Sequence, residues 1–153
     1  MNHRWWWALL AMPLAVTAQC TLVFRWLPAG GSPDFVLLLT LACAWWRGIP
    51  GGAAAGFWGG LLMGAARGNL CGPMAVIYLA AGWLAGAYLQ ERDDRVALLW
   101  LGAAATVIVC GLEAGLMAVL GFSYSVGLAA LAELALCHSL LLAPVSLGPR
   151  SED

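Results

Sequence analysis

The sequence predicts an all-α integral membrane protein: a compact bundle of six transmembrane helices with both termini in the cytoplasm. Three observations predict it. Of the 153 residues 63% are hydrophobic and only 10% charged, with a mean hydropathy of +0.86. A soluble domain carries about 25% charged residues, so this chain has too little charge to cover a water-facing surface. Apolar runs approaching bilayer length recur along the whole chain, separated by short turns. Finally, all seven basic residues are arginines at the edges of those runs. With the N-terminus inside, Arg4, Arg47, Arg92, Arg95 and Arg150 fall on the cytoplasmic side, and Arg25 and Arg67 outside. That excess of inside arginines fits an even number of crossings. The loops are too short to hold a soluble domain, so residues 1–153 read as one transmembrane domain.

The first span is expected at 5–24. Its start, "MNHRWWWALLAMPLAVTAQC", has the basic and apolar regions of a signal peptide. The apolar run continues through "QCTLVF", longer than a signal core, so an uncleaved helix is expected. Ala8, Ala11, Ala15 and Ala18 give it one small-residue face. The second span, 33–46, is short, about 20 Å at 1.5 Å per residue. It reaches the interface through Trp45, Trp46 and Arg47 or where the bilayer thins. Ser32 is expected to cap it, with Pro33 in the first helical position and Asp34 favoured at the positive end of the helix dipole.

The third span, 49–66, carries Gly52, Gly56, Gly60 and Gly64 at every fourth position. Such a stripe permits close backbone approach between helices in lipid. Packing inside the bundle is the expectation, with docking of another membrane protein as the alternative. The segment "RGNLCGPMAV" reads as a turn punctuated by Gly72 and Pro73, leading into a fourth span at 73–90 with Gly82 and Gly86. "QERDDR" then forms a solvated cytoplasmic hairpin. The fifth and sixth spans, 96–120 and 125–147, form an antiparallel hairpin around "GFSYS".

Few side chains in these spans carry chemistry. Glu113 and Glu133 lie inside the last two helices, where a charge is costly and marks a site or a protected interior position. They stand at similar depth on either side of the turn, where no arginine is expected to neutralise either. Thr106, His138 and Gln19 are their expected hydrogen-bond partners. His138 itself reads as a hydrogen-bonded packing residue. One His and two Glu at irregular spacing do not define a metal site, and the five scattered cysteines lack zinc spacing. No catalytic triad or phosphate-cradling loop can be assembled. The expectation is a protein that is not an enzyme, uses no cofactor or metal and, at net charge −1, binds no nucleic acid.

The stretch "PDFVLLLTLACAWWRGIPGGAAAGFWGGLLMGAARGNLCGPMAVIYLAAGWLAG" resembles the core of the MreD family, the rod shape-determining membrane proteins of bacteria. The family pattern is Pro-Asp/Asn opening an apolar helix, a Gly-x-x-x-Gly helix ending in an acid, a glycine turn and a helix with small residues. Pro33 and Asp34 match the opening, Gly56 and Gly60 the glycine helix, and Gly72 the turn. Glu113 falls where the family often has an acid, and "SLLLAP" echoes the closing motif with Ala143 and Pro144. The resemblance covers about 33–147. One departure is Gly64, which stands where the family has its acid at the end of the third helix.

The resemblance implies a non-catalytic inner-membrane component of the bacterial elongation complex, supporting cell shape and lateral peptidoglycan synthesis. Implied partners are membrane lipids, an MreC-like protein, MreB, and RodA with its transpeptidase. Asp34 would then touch an extracytoplasmic partner such as MreC. The rival reading is a small solute-binding membrane subunit, similar to the substrate-capturing component of energy-coupling-factor transporters. Ala11 and Ala15 would form its docking face, but the outer loops supply few ligating groups.

Overall fold

The computed structural model describes residues 5–23, 33–68, 70–91, 95–121 and 128–146, and every regular element among them is helical. Helix α1 spans Trp5–Ala18 and continues as a π-helical turn, Gln19–Val23. Helix α2 spans Phe35–Ala66, α3 Cys71–Gln90, α4 Arg95–Val119 and α5 Leu128–Ser146. Three stretches are long and apolar enough to cross a membrane: Phe35–Ala66, Cys71–Gln90 and Val96–Val119. Ser32, residues 92–94 of the polar hairpin and the turn at 122–127 lie outside the described residues.

The 32 residues of α2 are two arms. Gly48 breaks the helix with φ 64° and ψ −150°, a backbone region essentially restricted to glycine. Beyond it the chain folds back on itself. A Cβ placed on Gly59 would meet Val36 Cγ1 at 2.6 Å, and one on Gly52 would meet Ala44 Cβ at 2.8 Å. In one straight helix, Val36 and Gly59 would stand about 35 Å apart. The arms, 35–47 and 49–66, therefore run antiparallel, close to the second and third spans read from sequence. The first is short, as expected, because the chain reverses at Gly48 after 13 residues.

The second arm and α3 form the tightest pair among the described residues. A Cβ on Gly52, Gly56, Gly60 or Gly64 would strike the backbone of Gly82, Tyr78, Met74 or Cys71 respectively. A Cβ on Gly86 would strike the backbone of Ile49. Backbone meets backbone along almost the whole length, and only residues without a Cβ allow it. The glycine stripe is thus occupied inside the bundle.

Helix α1 packs its Met12 against Gly59, while Thr17 and Thr21 return their hydroxyls to the Pro13 and Thr17 carbonyls. Helices α4 and α5 lie antiparallel, Thr106 meeting His138 and Gly102 meeting the Leu142 side chain. Val36, Leu37, Leu41, Trp45, Met74, Tyr78, Leu89, Leu98 and Leu142 fill the core.

Two local readings are corrected. Asp34, rather than Ser32, is the N-cap of α2, so Pro33 precedes the helix instead of opening it. Gly72 is not the turn: it is the second residue of α3, exposed, with open space where a Cβ would go. The reversal after α2 falls at Gly68, whose φ of 78° suits a residue without a Cβ.

A buried polar cluster centred on Asp34

Asp34 does three things at once. Its Oδ1 accepts the backbone N–H groups of Val36 and Leu37 at 3.0 and 3.1 Å, satisfying donors that every helix start leaves free. Its Oδ2 accepts the hydroxyl of Tyr78 from α3. Its own backbone N–H donates to His138 Nε2 of α5 at 2.6 Å. One residue therefore joins the first arm of α2 to both α3 and α5.

The cluster extends in two directions. Toward α4, the Tyr78 oxygen lies 3.4 Å from Glu113 Oε1, the weaker share of a forked contact. Glu113 Oε2 accepts from Arg67 Nη1 at 2.9 Å, closing an ion pair between α4 and the end of α2. The carboxylate side is 6% exposed and the guanidinium side 32%, so the pair runs from the interior to the surface. Toward α5, His138 Nδ1 stands 2.6 Å from Thr106 Oγ1, which in turn lies 2.7 Å from the carbonyl of Gly102.

The proton positions follow from the donors. A backbone N–H can only donate, so His138 Nε2 must be the acceptor and carry no hydrogen. The ring proton then sits on Nδ1 and points at Thr106, whose hydroxyl passes its own hydrogen to Gly102. Every member of this chain has one role open to it. The imidazole is neutral in this arrangement, because an Nε2–H would face the Asp34 N–H donor to donor.

The sequence-predicted site residues separate into two groups. Asp34, Glu113 and His138 meet in the cluster. Gly56 and Gly60 are packing positions against α3, and Pro33 lies half-buried beside the cap. Ala143 and Pro144 lie in the last turn of α5, five and six residues beyond His138, and Gly72 is exposed.

Two expectations about the acids are corrected. Arg67 reaches Glu113, although arginine was expected to be absent at that depth, because the side chain extends inward from the end of α2. The two glutamates, read from sequence as similar in depth only, face different surroundings: Glu113 is buried and Glu133 exposed. Thr106 and His138 bond each other rather than either glutamate, and Gln19 Oε1 is buried without a partner among the described residues.

Tyr78 and Arg67 escaped the sequence reading. Tyr78 sits in a helix of small and aliphatic residues, and its hydroxyl was a signal available in the sequence. Arg67 looked like an ordinary loop cation. No protein-family model, no curated protein and no solved structure matches the chain.

Proposed function

We propose that this chain is a multi-pass inner-membrane component of the bacterial elongation machinery. It acts without catalysis, as a rigid platform for an MreC-like protein, MreB, and RodA with its transpeptidase. In this reading the two arms of α2 each cross the bilayer, giving six crossings with both termini cytoplasmic, a topology the five-to-two arginine split supports.

The observation that carries the reading is the place of Asp34. The resemblance singles out the Pro33-Asp34 opening, and Asp34 is the residue through which α2, α3 and α5 are bonded together. A fold locked by an interior polar hub and a backbone-to-backbone helix pair suits a scaffold whose partners bind its outer faces.

Deletion in a rod-shaped host tests it. Cells should become rounded or swollen as lateral wall synthesis loses its guide. Unchanged morphology together with a vitamin-uptake defect would favour the solute-binding subunit instead. The feature that speaks for that second reading is the same interior cluster, since ionisable residues inside a membrane commonly mark substrate paths. Its groups already satisfy one another, so a solute would have to displace those bonds.

A further inference from the structure

Glu133 presents a carboxylate on the outside of the bundle at mid-span. Moving five residues back from His138 along α5 matches five residues forward from Thr106 on antiparallel α4, which places Glu133 level with Gly111. Gly111 is two-thirds of the way along the 24-residue apolar stretch Val96–Val119, about 5 Å from its centre at 1.5 Å per residue. Glu133 is exposed and makes no hydrogen bond or ion pair with any described residue. Its neighbours on the same face of α5 are Leu136 and Leu140, 65% and 72% exposed, with Cys137 between them.

A carboxylate facing lipid at that depth is costly. Ionisable side chains in membrane helices almost always turn inward or find a partner of opposite charge. Glu113 does both on this chain; Glu133 does neither. We propose that the Glu133–Leu136–Leu140 face of α5 docks a transmembrane helix of another membrane protein, one that brings an Arg or Lys to mid-span.

A second copy of this chain docking through its own α5 does not meet that requirement. There is no lysine, and no arginine lies between Arg95 and Arg150. A two-fold contact through α5 would therefore set one Glu133 against another. The proposal rests on the membrane placement in the functional reading, and it names the surface that such a scaffold would use.

Photo-crosslinking from the full chain in its native membrane tests it. A photoreactive residue replaces Leu140, and a control probe replaces Ile108 on α4, which is also exposed. The Leu140 probe should capture a peptide whose sequence is an apolar span with a central Arg or Lys. Glu133→Leu should lower that yield about five- to tenfold while the chain accumulates normally, because an interhelical polar bond is lost from an exposed site. Glu133→Arg should abolish capture, and reversing the partner's charge should restore it.

Lipid adducts alone at Leu140, a captured peptide of this same chain, or capture indifferent to Glu133→Leu would each overturn the proposal. A captured basic span from a protein outside wall synthesis would uphold the docking face while refuting the elongation reading. Rounded deletion cells with Glu133-independent capture would do the reverse.

Discussion

The backbone N–H of Asp34 donates to His138 Nε2 at 2.6 Å, across 104 positions of sequence. This bond ties the cap of α2 to α5 and fixes the tautomer of the imidazole. In a water-poor interior the alternative for either group is to remain unpaired, which costs about 1–3 kcal/mol.

Replacing His138 should therefore be felt at Asp34. His138→Leu strands the Asp34 N–H and takes the ring donor from the Thr106 oxygen, whose hydroxyl keeps its bond to the Gly102 carbonyl, and is expected to destabilise by about 2–3 kcal/mol. Thr106→Val removes only the acceptor of Nδ1–H and should cost about 1–2 kcal/mol. Reversible unfolding in mixed micelles measures both. Nitrogen NMR of labelled histidine should show a protonated Nδ1 and a bare Nε2 at His138. The opposite tautomer would refute the proton assignment.

Asp34 offers a graded test of the hub. Asp34→Ala removes the cap and the acceptor for the Tyr78 hydroxyl, an expected loss of about 2–3 kcal/mol in the same unfolding measurement. Asp34→Asn keeps an oxygen for the Val36 and Leu37 N–H groups and should lose less than half as much. Equal damage from the two variants would mean that the carboxylate charge, rather than its hydrogen bonding, is what the cluster requires.

Arg67 and Glu113 form the cluster's only ion pair among the described residues. Arg67→Leu leaves a buried carboxylate without its cation, and losing one partner of a buried pair costs about 3–5 kcal/mol. The exposed side of the guanidinium lowers the expectation to about 2–3 kcal/mol. Removing both charges together should cost less than Arg67→Leu alone. A double-mutant cycle on unfolding free energies checks this, and strict additivity would show that the pair is uncoupled.

How much of this was legible in the sequence depended on whether the signal was local. The apolar runs and the break at Gly48 could be read because hydropathy and glycine spacing are properties of neighbouring residues. The stripe from Gly52 to Gly64 announced a close helix contact, although which helix it met needed the fold. The cluster was only half legible. Asp34, Glu113 and His138 stood out as polar residues in apolar surroundings, but their partners could not be matched by spacing. Bonds between residues 34 and 138 or 67 and 113 depend on how helices are arranged around one another. Arg67 was misjudged because a long side chain at a helix end can turn inward as readily as outward.

The glycines divide into filled and open positions, and mutation should expose the difference. Gly56→Leu or Gly60→Leu drives a side chain into the α3 backbone; at Gly60 even a Cβ meets the Met74 carbonyl oxygen at 2.5 Å. Both should abolish accumulation of the folded chain. A Cβ at Gly111 or Gly115 meets nothing within 4 Å and both positions are exposed, so Gly111→Leu and Gly115→Leu should fold normally. Membrane yield and gel-filtration profile distinguish the sets, and equal tolerance would refute the α2–α3 packing.

Gly48 carries the reversal between the arms, and its backbone rather than its surroundings should decide the cost of changing it. At φ 64° and ψ −150° an L-residue is strained by about 1–3 kcal/mol. A Cβ there would also approach Gln90 Nε2 at 2.7 Å, but that atom ends a flexible side chain that can swing aside. Gly48→Ala should therefore destabilise by about 1–3 kcal/mol, and adding Gln90→Ala should recover little of it. If the second change restored full stability, the cost would lie in the contact and the reversal would not depend on glycine. If the strain dominates, Gly48→Ala should also loosen the arms. A cysteine pair from Val36→Cys and Gly59→Cys would then crosslink less efficiently in the Gly48→Ala background than in the parent.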